Sequence, residues 1–142
     1  MLRCRLILVG FVCAQFIGSA AGQKSELKKE PIHYTSPASG QEMFMSYCAV
    51  CHGKDAKGAG PAASVLKIAP ANLTTLTKRH GGKFPSERVS TMIMGEADLP
   101  AHGTREMPVW GPLFRSLDSH GDMIVRQRIV SLEDYLKSVQ EK

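Results

Sequence analysis

Residues 48–52 place two thiols and an imidazole within five positions of the chain. They read Cys48-Ala-Val-Cys51-His52, and the other two cysteines, Cys4 and Cys13, lie close to the N-terminus. Three kinds of chemistry use such residues: a disulfide or redox-active pair, one half of a zinc site, and the covalent attachment of a haem. The remainder of the sequence has to distinguish between them.

The zinc and redox interpretations lack the features that normally accompany them. A structural zinc site takes four ligands, usually from two clusters, and a thioredoxin-like pair accompanies a βαβ pattern. No stretch alternates polar and apolar residues as a strand would. The other histidines are scattered and form no second cluster: His33, His80, His102 and His120.

The pattern C-x-x-C-H is typical of c-type haem attachment. Two cysteines three residues apart on a helical turn can each form a thioether with one vinyl group of haem. The next residue can then place an imidazole beneath the iron. The sequence therefore predicts one covalently bound haem c, held by Cys48 and Cys51 and with His52 as an iron ligand. A surface cysteine pair is the alternative.

Met107 is the predicted second iron ligand. It lies 55 residues after His52 in an aperiodic stretch, and Pro108 stiffens the backbone beside it. His102 is the alternative ligand. Three other methionines are expected in the apolar core: Met43, Met45 and Met92.

The elements that must position these residues are helical. Ser36 and Pro37 have the chemistry of a helix N-cap and first helical position, and Gly53 ends the helix that carries the motif. Apolar residues within it recur at helical spacing: Met43, Phe44, Tyr47 and Cys48.

Further helices are predicted from Ser86 to Met94 and from Met123 to Val139, and one helical turn is expected before Gly81. Gly- and Pro-rich loops separate them, and the residues from Glu96 to Pro112 are predicted as loop. The fold class is therefore all-α, with three to four helices and long loops.

The N-terminal residues 1–22 have the pattern of a secretory signal, with Arg3 and Arg5 before an apolar stretch and small residues after it. The apolar stretch is shorter than the roughly 20 residues that span a bilayer, so an uncleaved anchor is the less favoured alternative. Residues 23–36 are predicted to be a flexible lead-in, and residues 37–142 the globular domain. The protein is expected to be exported, in the periplasm or otherwise outside the cytoplasm.

Charge excludes one class of partner. Loss of the signal removes two arginines and no acidic residue, so the formal charge falls from +5 to +3. This excess is too small to indicate nucleic-acid binding.

The chain from about residue 36 to 139 resembles class I, mitochondrial-type monohaem cytochromes c, in particular bacterial members with a Met-Pro-x-Trp distal loop. Gly40 and Phe44 match the glycine and aromatic residue of the first helix in that family. Leu132 and Tyr135 match the C-terminal pair that packs against them. The resemblance implies that these two helices cross closely at Gly40 and that the loops wrap one covalently bound haem.

The resemblance also implies roles for residues around the haem. The stretch Ala69-Pro-Ala-Asn-Leu matches the proximal loop, so the Pro70 carbonyl would accept the His52 ring N–H. Trp110 would either donate to a haem propionate or fill the core. Basic loop residues would either contact the propionates or face solvent: Arg79, His80, Lys83 and Arg105.

The function that the resemblance implies is one-electron transfer. With His52 and Met107 both bound to iron, no position remains for a small-molecule substrate. The implied partners are redox proteins such as a membrane-bound oxidase or a quinol-oxidising complex, and the chain is expected to be monomeric. Two alternatives remain: an electron-entry subunit of a larger respiratory complex, and a haem-based enzyme or gas sensor.

Overall fold

Helices and the loops between them make up the part of the chain that this computed structural model describes, residues 32–96, 107–118 and 121–142. The predicted all-α class is confirmed, since those ranges contain no strand. None of the helices in them is both long enough and apolar enough to cross a bilayer. The predicted signal, residues 1–22, lies outside the described residues, as do His102 and Arg105.

Five α-helices follow one another along the chain. Helix α1 runs continuously through α-helical Gly40–Met43, π-helical Phe44–Cys48 and α-helical Ala49–His52, and a 3₁₀ turn follows at Ala63–Val65. The remaining helices are α2 (Leu76–Arg79), α3 (Ser86–Met94), α4 (Trp110–Ser116) and α5 (Asp122–Ser138). The described helices thus exceed the three to four expected, and α4 is the one that the sequence analysis missed.

Helix α4 occupies residues that were predicted as loop because they contain glycine and proline. Pro112 is tolerated there because it lies in the first helical turn, where backbone N–H groups have no intrahelical acceptor. The spacing of Trp110, Phe114 and Leu117, four and then three residues apart, is the helical signal that was available in the sequence.

Helix α1 begins later than predicted. Its N-cap is Ser39, whose hydroxyl accepts the Glu42 N–H at 3.2 Å. Ser36 instead begins a turn, in which its carbonyl accepts the Ser39 N–H at 3.1 Å. The turn over residues 36–39 therefore precedes the helix, and Ser36 and Pro37 stay outside it.

The close crossing of α1 and α5 at Gly40 is present as the resemblance implied. A Cβ atom on Gly40 would lie 1.8 Å from the Ser131 carbonyl oxygen, so only glycine fits. One turn on, the rings of Phe44 and Tyr135 pack with centroids 5.1 Å apart, and Leu132 is buried beside them. This contact anchors the helix that carries the cysteine motif.

The predicted lead-in ends earlier than residue 36, because residues 32–36 pack into the domain. Thr35 is 2% exposed, and its hydroxyl lies 2.9 Å from the Tyr47 hydroxyl. The Tyr47 hydroxyl also donates to the His33 carbonyl. Residues 32–36 therefore belong to the packed part of the chain.

Arg128 is a fully buried cation that the sequence analysis did not single out. Its side chain is 0% exposed on the apolar stripe of α5, where Nη1 donates to Thr35 Oγ1 at 3.1 Å. Its guanidinium also lies over the Tyr34 and Phe114 rings, 5.2 and 5.8 Å from their centroids. Within the described ranges, Nε and Nη2 have no hydrogen-bond partner. The desolvation cost of Arg128 is thus compensated only in part.

We therefore expect Arg128→Met to leave the free energy of unfolding unchanged or to raise it, by up to about 4 kcal/mol, because an apolar side chain of similar length removes that cost. Arg128→Ala is the control, since it leaves a cavity and should lower stability by about 2–4 kcal/mol. Denaturant titration of the haem-containing protein measures both. A methionine variant as unstable as the alanine variant would contradict the expectation.

Candidate functional site

The last turns of α1 present the cysteine motif. Cys48 ends the π-helical segment, and Cys51 and His52 belong to the final α-helical turn, which Gly53 closes with a φ of +79°. Both thiols are half-buried and are not joined in a disulfide. Two thiols on successive turns of one helix end can each tether the same planar group.

The environment of Cys48 disfavours a redox-active pair. Burial, with a smaller contribution from the neighbouring Cys51, raises the pKa of the Cys48 thiol to about 12. Redox-active cysteines instead have lowered pKa values, because the thiolate is the reacting species. Nor do the described residues contain three histidine, cysteine or acidic side chains grouped as a metal site.

The imidazole of His52 is held by a backbone carbonyl. Nδ1 lies 3.1 Å from the Ala71 carbonyl oxygen, so Nδ1 carries the proton and Nε2 carries the lone pair. Burial lowers the pKa of His52, and the hydrogen bond to Ala71 opposes this in part. A neutral imidazole with its proton fixed on Nδ1 is the form that binds a metal through Nε2.

The carbonyl that accepts from His52 was predicted one residue too early. Pro70 was expected to supply it, but its carbonyl oxygen points to Gly58, where an added Cβ would lie only 2.3 Å away. The Ala71 carbonyl faces His52 instead. The sequence match located the proximal loop, whereas the packing of the Gly58 backbone against Pro70 decides its register.

The loop after the motif satisfies the carbonyls at the end of α1. The N–H groups of Gly58, Gly60 and Ala62 donate to the carbonyls of His52, Cys51 and Val50 at 2.7, 3.0 and 2.9 Å. A Cβ on Gly60 would lie 2.5 Å from the Val50 carbonyl oxygen. The Gly-rich stretch is therefore a fitted cap that fixes the turn bearing the thiols.

An aromatic cluster lies beside the first cysteine. The Trp110 ring stacks on both Tyr47 and Phe114, with centroid distances of 5.4 and 5.6 Å, and those two rings also contact each other at 5.9 Å. Trp110 is 9% exposed. Trp110 therefore fills the core, one of the two roles considered for it, beside Tyr47, which directly precedes Cys48. Its contact with a propionate stays a prediction.

Met107 lies half-buried against the hydrophobic core, three residues before α4. Among the methionines expected in the core, Met43 is fully buried, but Met45 is exposed, so that prediction was wrong. Met45 points outward because the buried positions of the π-helical segment are Phe44 and Tyr47. Met92 is half-buried on α3.

The basic loop residues do not converge. Arg79 donates from Nη2 to the Asn72 carbonyl at 2.7 Å, and His80 Nδ1 lies 2.8 Å from the Leu76 carbonyl. Lys83 is exposed. A contact of these residues with haem propionates stays a prediction, as it does for Arg105 outside the described ranges.

Exposed apolar side chains occur at and after the motif, as expected where a haem is to be covered. Val50 lies between the two cysteines and is half-exposed, and Val65 and Ile68 are exposed at 82% and 45%. Along the chain, Val65 and Ile68 lie between Ala62 and Ala71. The Ala62 N–H donates to the Val50 carbonyl of α1, and the Ala71 carbonyl accepts from His52. A planar apolar group tethered at Cys48 and Cys51 would cover side chains of this kind.

An all-α domain whose first helix ends in two tethering thiols and an oriented imidazole is a c-type cytochrome, which binds haem c covalently and transfers electrons through it. The chain belongs to the family described as cytochrome c oxidase, cbb3-type, subunit III, whose model matches residues 35–118, more than half of the chain. Neither the curated proteins nor the solved structures gave a match.

Gly58→Ala tests the register of the proximal loop. Its Cβ would collide with the Pro70 carbonyl oxygen, and the backbone there has a φ of +90°. Gly81→Ala is the control, since Gly81 also has a positive φ (+66°) but has no atom within 4 Å of an added Cβ. We expect Gly58→Ala to lose about 1–3 kcal/mol of unfolding free energy more than the control. Equal losses in denaturant titrations would show that Gly58 and Pro70 are not in contact.

Proposed function

We propose that this chain is a class I, Met-Pro-x-Trp type cytochrome c that works outside the cytoplasm as a one-electron carrier, with His52 and Met107 as axial ligands. The observation that carries the proposal is the hydrogen bond from His52 Nδ1–H to Ala71 O, 3.1 Å long, on the turn that bears both thiols. It leaves Nε2 unprotonated, which is the form of the imidazole that binds iron.

Each group of the chain has a defined task in this proposal. The bound haem supplies an iron that accepts and releases one electron. Cys48 and Cys51 tether it, and His52 binds the iron in a fixed tautomer. The Met107 thioether, a soft ligand, stabilises the ferrous state. With both axial positions filled by the chain, the protein transfers electrons and is not an enzyme.

Met107→Ala tests the assignment of the second ligand. The haem should remain covalently attached, while the reduction potential falls, the weak long-wavelength charge-transfer band of the oxidised protein disappears, and added small ligands bind. Met92→Ala is the matched control, because Met92 is also half-buried. If Met107→Ala keeps the native spectrum and potential, while Met92→Ala or His102→Ala loses both, the assignment of Met107 is wrong and the other residue is the ligand. An open sixth position in the wild type would favour an enzyme or gas sensor.

A second candidate function is favoured by the family description, which names an oxidase subunit. In it, the chain passes electrons as a fixed component of a respiratory oxidase and does not diffuse between partners. The haem chemistry is the same in both functions, so only the state of assembly distinguishes a free carrier from an oxidase subunit. Isolation from gently solubilised membranes distinguishes a stable complex from a monomer, and the intact mass reports signal cleavage and the number of attached haems.

Lys54 and Lys57 are exposed on the loop that directly follows the motif, where they can guide an acidic partner. We expect Lys54→Glu/Lys57→Glu to slow electron transfer to such a partner and to flatten its salt dependence, because exposed charges act on the encounter rate and are screened within about 10 Å at 0.1 M salt. Lys78→Glu/Lys142→Glu makes the same change in net charge at exposed positions of α2 and the C-terminus. Equal rates for the two double variants across a salt titration would refute guidance by this loop.

A further inference from the structure

The residues after α5 bind the loop that orients His52. The Gln140 side chain uses both of its amide hydrogens on backbone carbonyls, donating to Leu73 O at 2.8 Å and to Leu136 O at 2.7 Å. Its Oε1 accepts the Thr77 N–H at 2.9 Å. One side chain therefore ties the end of α5 to the loop and to the start of α2.

Glu141 adds a second connection to the same loop. Its N–H donates to the Thr74 carbonyl at 2.8 Å. The Thr74 hydroxyl, on a side chain that is buried, lies 3.0 Å from Glu141 Oε1 and 2.7 Å from Asn72 Oδ1. We refer to Gln140 and Glu141 together as the C-terminal clamp. The proximal loop begins at residue 69 and ends at Thr75, the N-cap of α2.

The clamp acts close to the carbonyl that accepts from His52. Asn72, which follows Ala71 directly, accepts the Thr74 N–H through Oδ1 at 2.9 Å. The next residue, Leu73, donates its N–H to the Ala56 carbonyl at 2.8 Å, in the turn after the motif. Of the three residues that follow Ala71, Leu73 and Thr74 are bonded directly to the clamp or to the motif turn, and Asn72 is held through Thr74.

Helix α2 cannot hold the loop in this position by itself. It has four residues, and its N-cap Thr75 makes no side-chain capping bond. The Thr77 N–H, in the first turn of α2, has no acceptor within the helix and donates to Gln140 Oε1. The clamp also lies beyond residues 35–118, which match the family, so it is a feature of the C-terminal part of this chain.

We propose that Gln140 is a positioning residue for His52, which holds the Ala71 carbonyl against the Nδ1 proton and thereby sets the reduction potential. A well-held N–H···O bond makes the imidazole a stronger electron donor and so stabilises the ferric state. Loosening the proximal loop weakens that bond and raises the potential. This inference rests on the proposed function, in which His52 binds the iron.

Gln140→Met in the full-length, haem-containing protein tests this inference, because methionine keeps the length of the side chain and makes none of the three hydrogen bonds. Gln127→Met is the matched control on α5, since Gln127 is exposed and donates to Ser131 Oγ of the same helix, at 3.2 Å. The measurements are the exchange rate of the His52 Nδ1 proton by NMR and the reduction potential by equilibrium titration. We expect the loss of these three bonds to weaken the His52–Ala71 contact by about the energy of one hydrogen bond. Gln140→Met should then speed exchange severalfold to about tenfold and raise the potential. Gln127→Met should change neither quantity.

Thr74→Val provides a second, uncharged variant that removes the hydroxyl contact to Asn72 and Glu141, so the test does not depend on the folding of one mutant. It should shift both quantities in the same direction. Variants that are less stable to denaturant, yet keep the wild-type exchange rate and potential, would show that the clamp is only structural and would overturn the inference. A failure of the proposed function would be distinguished by the NMR spectrum of the wild-type protein. In that case the His52 ring would lack the shift that binding to iron produces.

Discussion

The hydrogen bond from His52 Nδ1 to the Ala71 carbonyl is the interaction on which the site depends. It joins the end of α1 to a loop 19 residues further along the chain and fixes which ring nitrogen is free to bind iron. The loop after the motif supports one side of this bond by capping the last carbonyls of α1. The C-terminal clamp supports the other side by holding the proximal loop.

Helix α5 links these two supports. Near its middle it crosses α1 at Gly40, where the backbones approach too closely for any other residue. At its end it delivers Gln140 to the proximal loop. One 17-residue helix thus positions both α1, which carries His52, and the loop whose carbonyl His52 binds. A shift of α5 would therefore change the position of the His52 imidazole or of the carbonyl that it binds.

Polar groups inside the domain extend this organisation to its N-terminal edge. Arg128 of α5 and Tyr47 of α1 share the hydroxyl of Thr35, so the segment before α1 is tied to both crossing helices. Tyr47 immediately precedes Cys48 and stacks on Trp110, which opens α4. The first thioether position is therefore bordered by a packed aromatic cluster and not by a mobile lead-in. Such packing excludes water from that side of the cysteine.

The sequence by itself determined the features that depend on neighbouring residues. The chemistry of Cys48, Cys51 and His52 follows from their spacing on one helical turn, and the periodicity of α3 and α5 located those helices. The tertiary structure alone decided the choice of Ala71 over Pro70, the burial of Arg128 and the role of Gln140, whose partners Leu73 and Thr77 lie more than 60 residues away. These outcomes depend on how loops pack against helices, and a one-residue change of register there leaves no trace in the local pattern of the sequence.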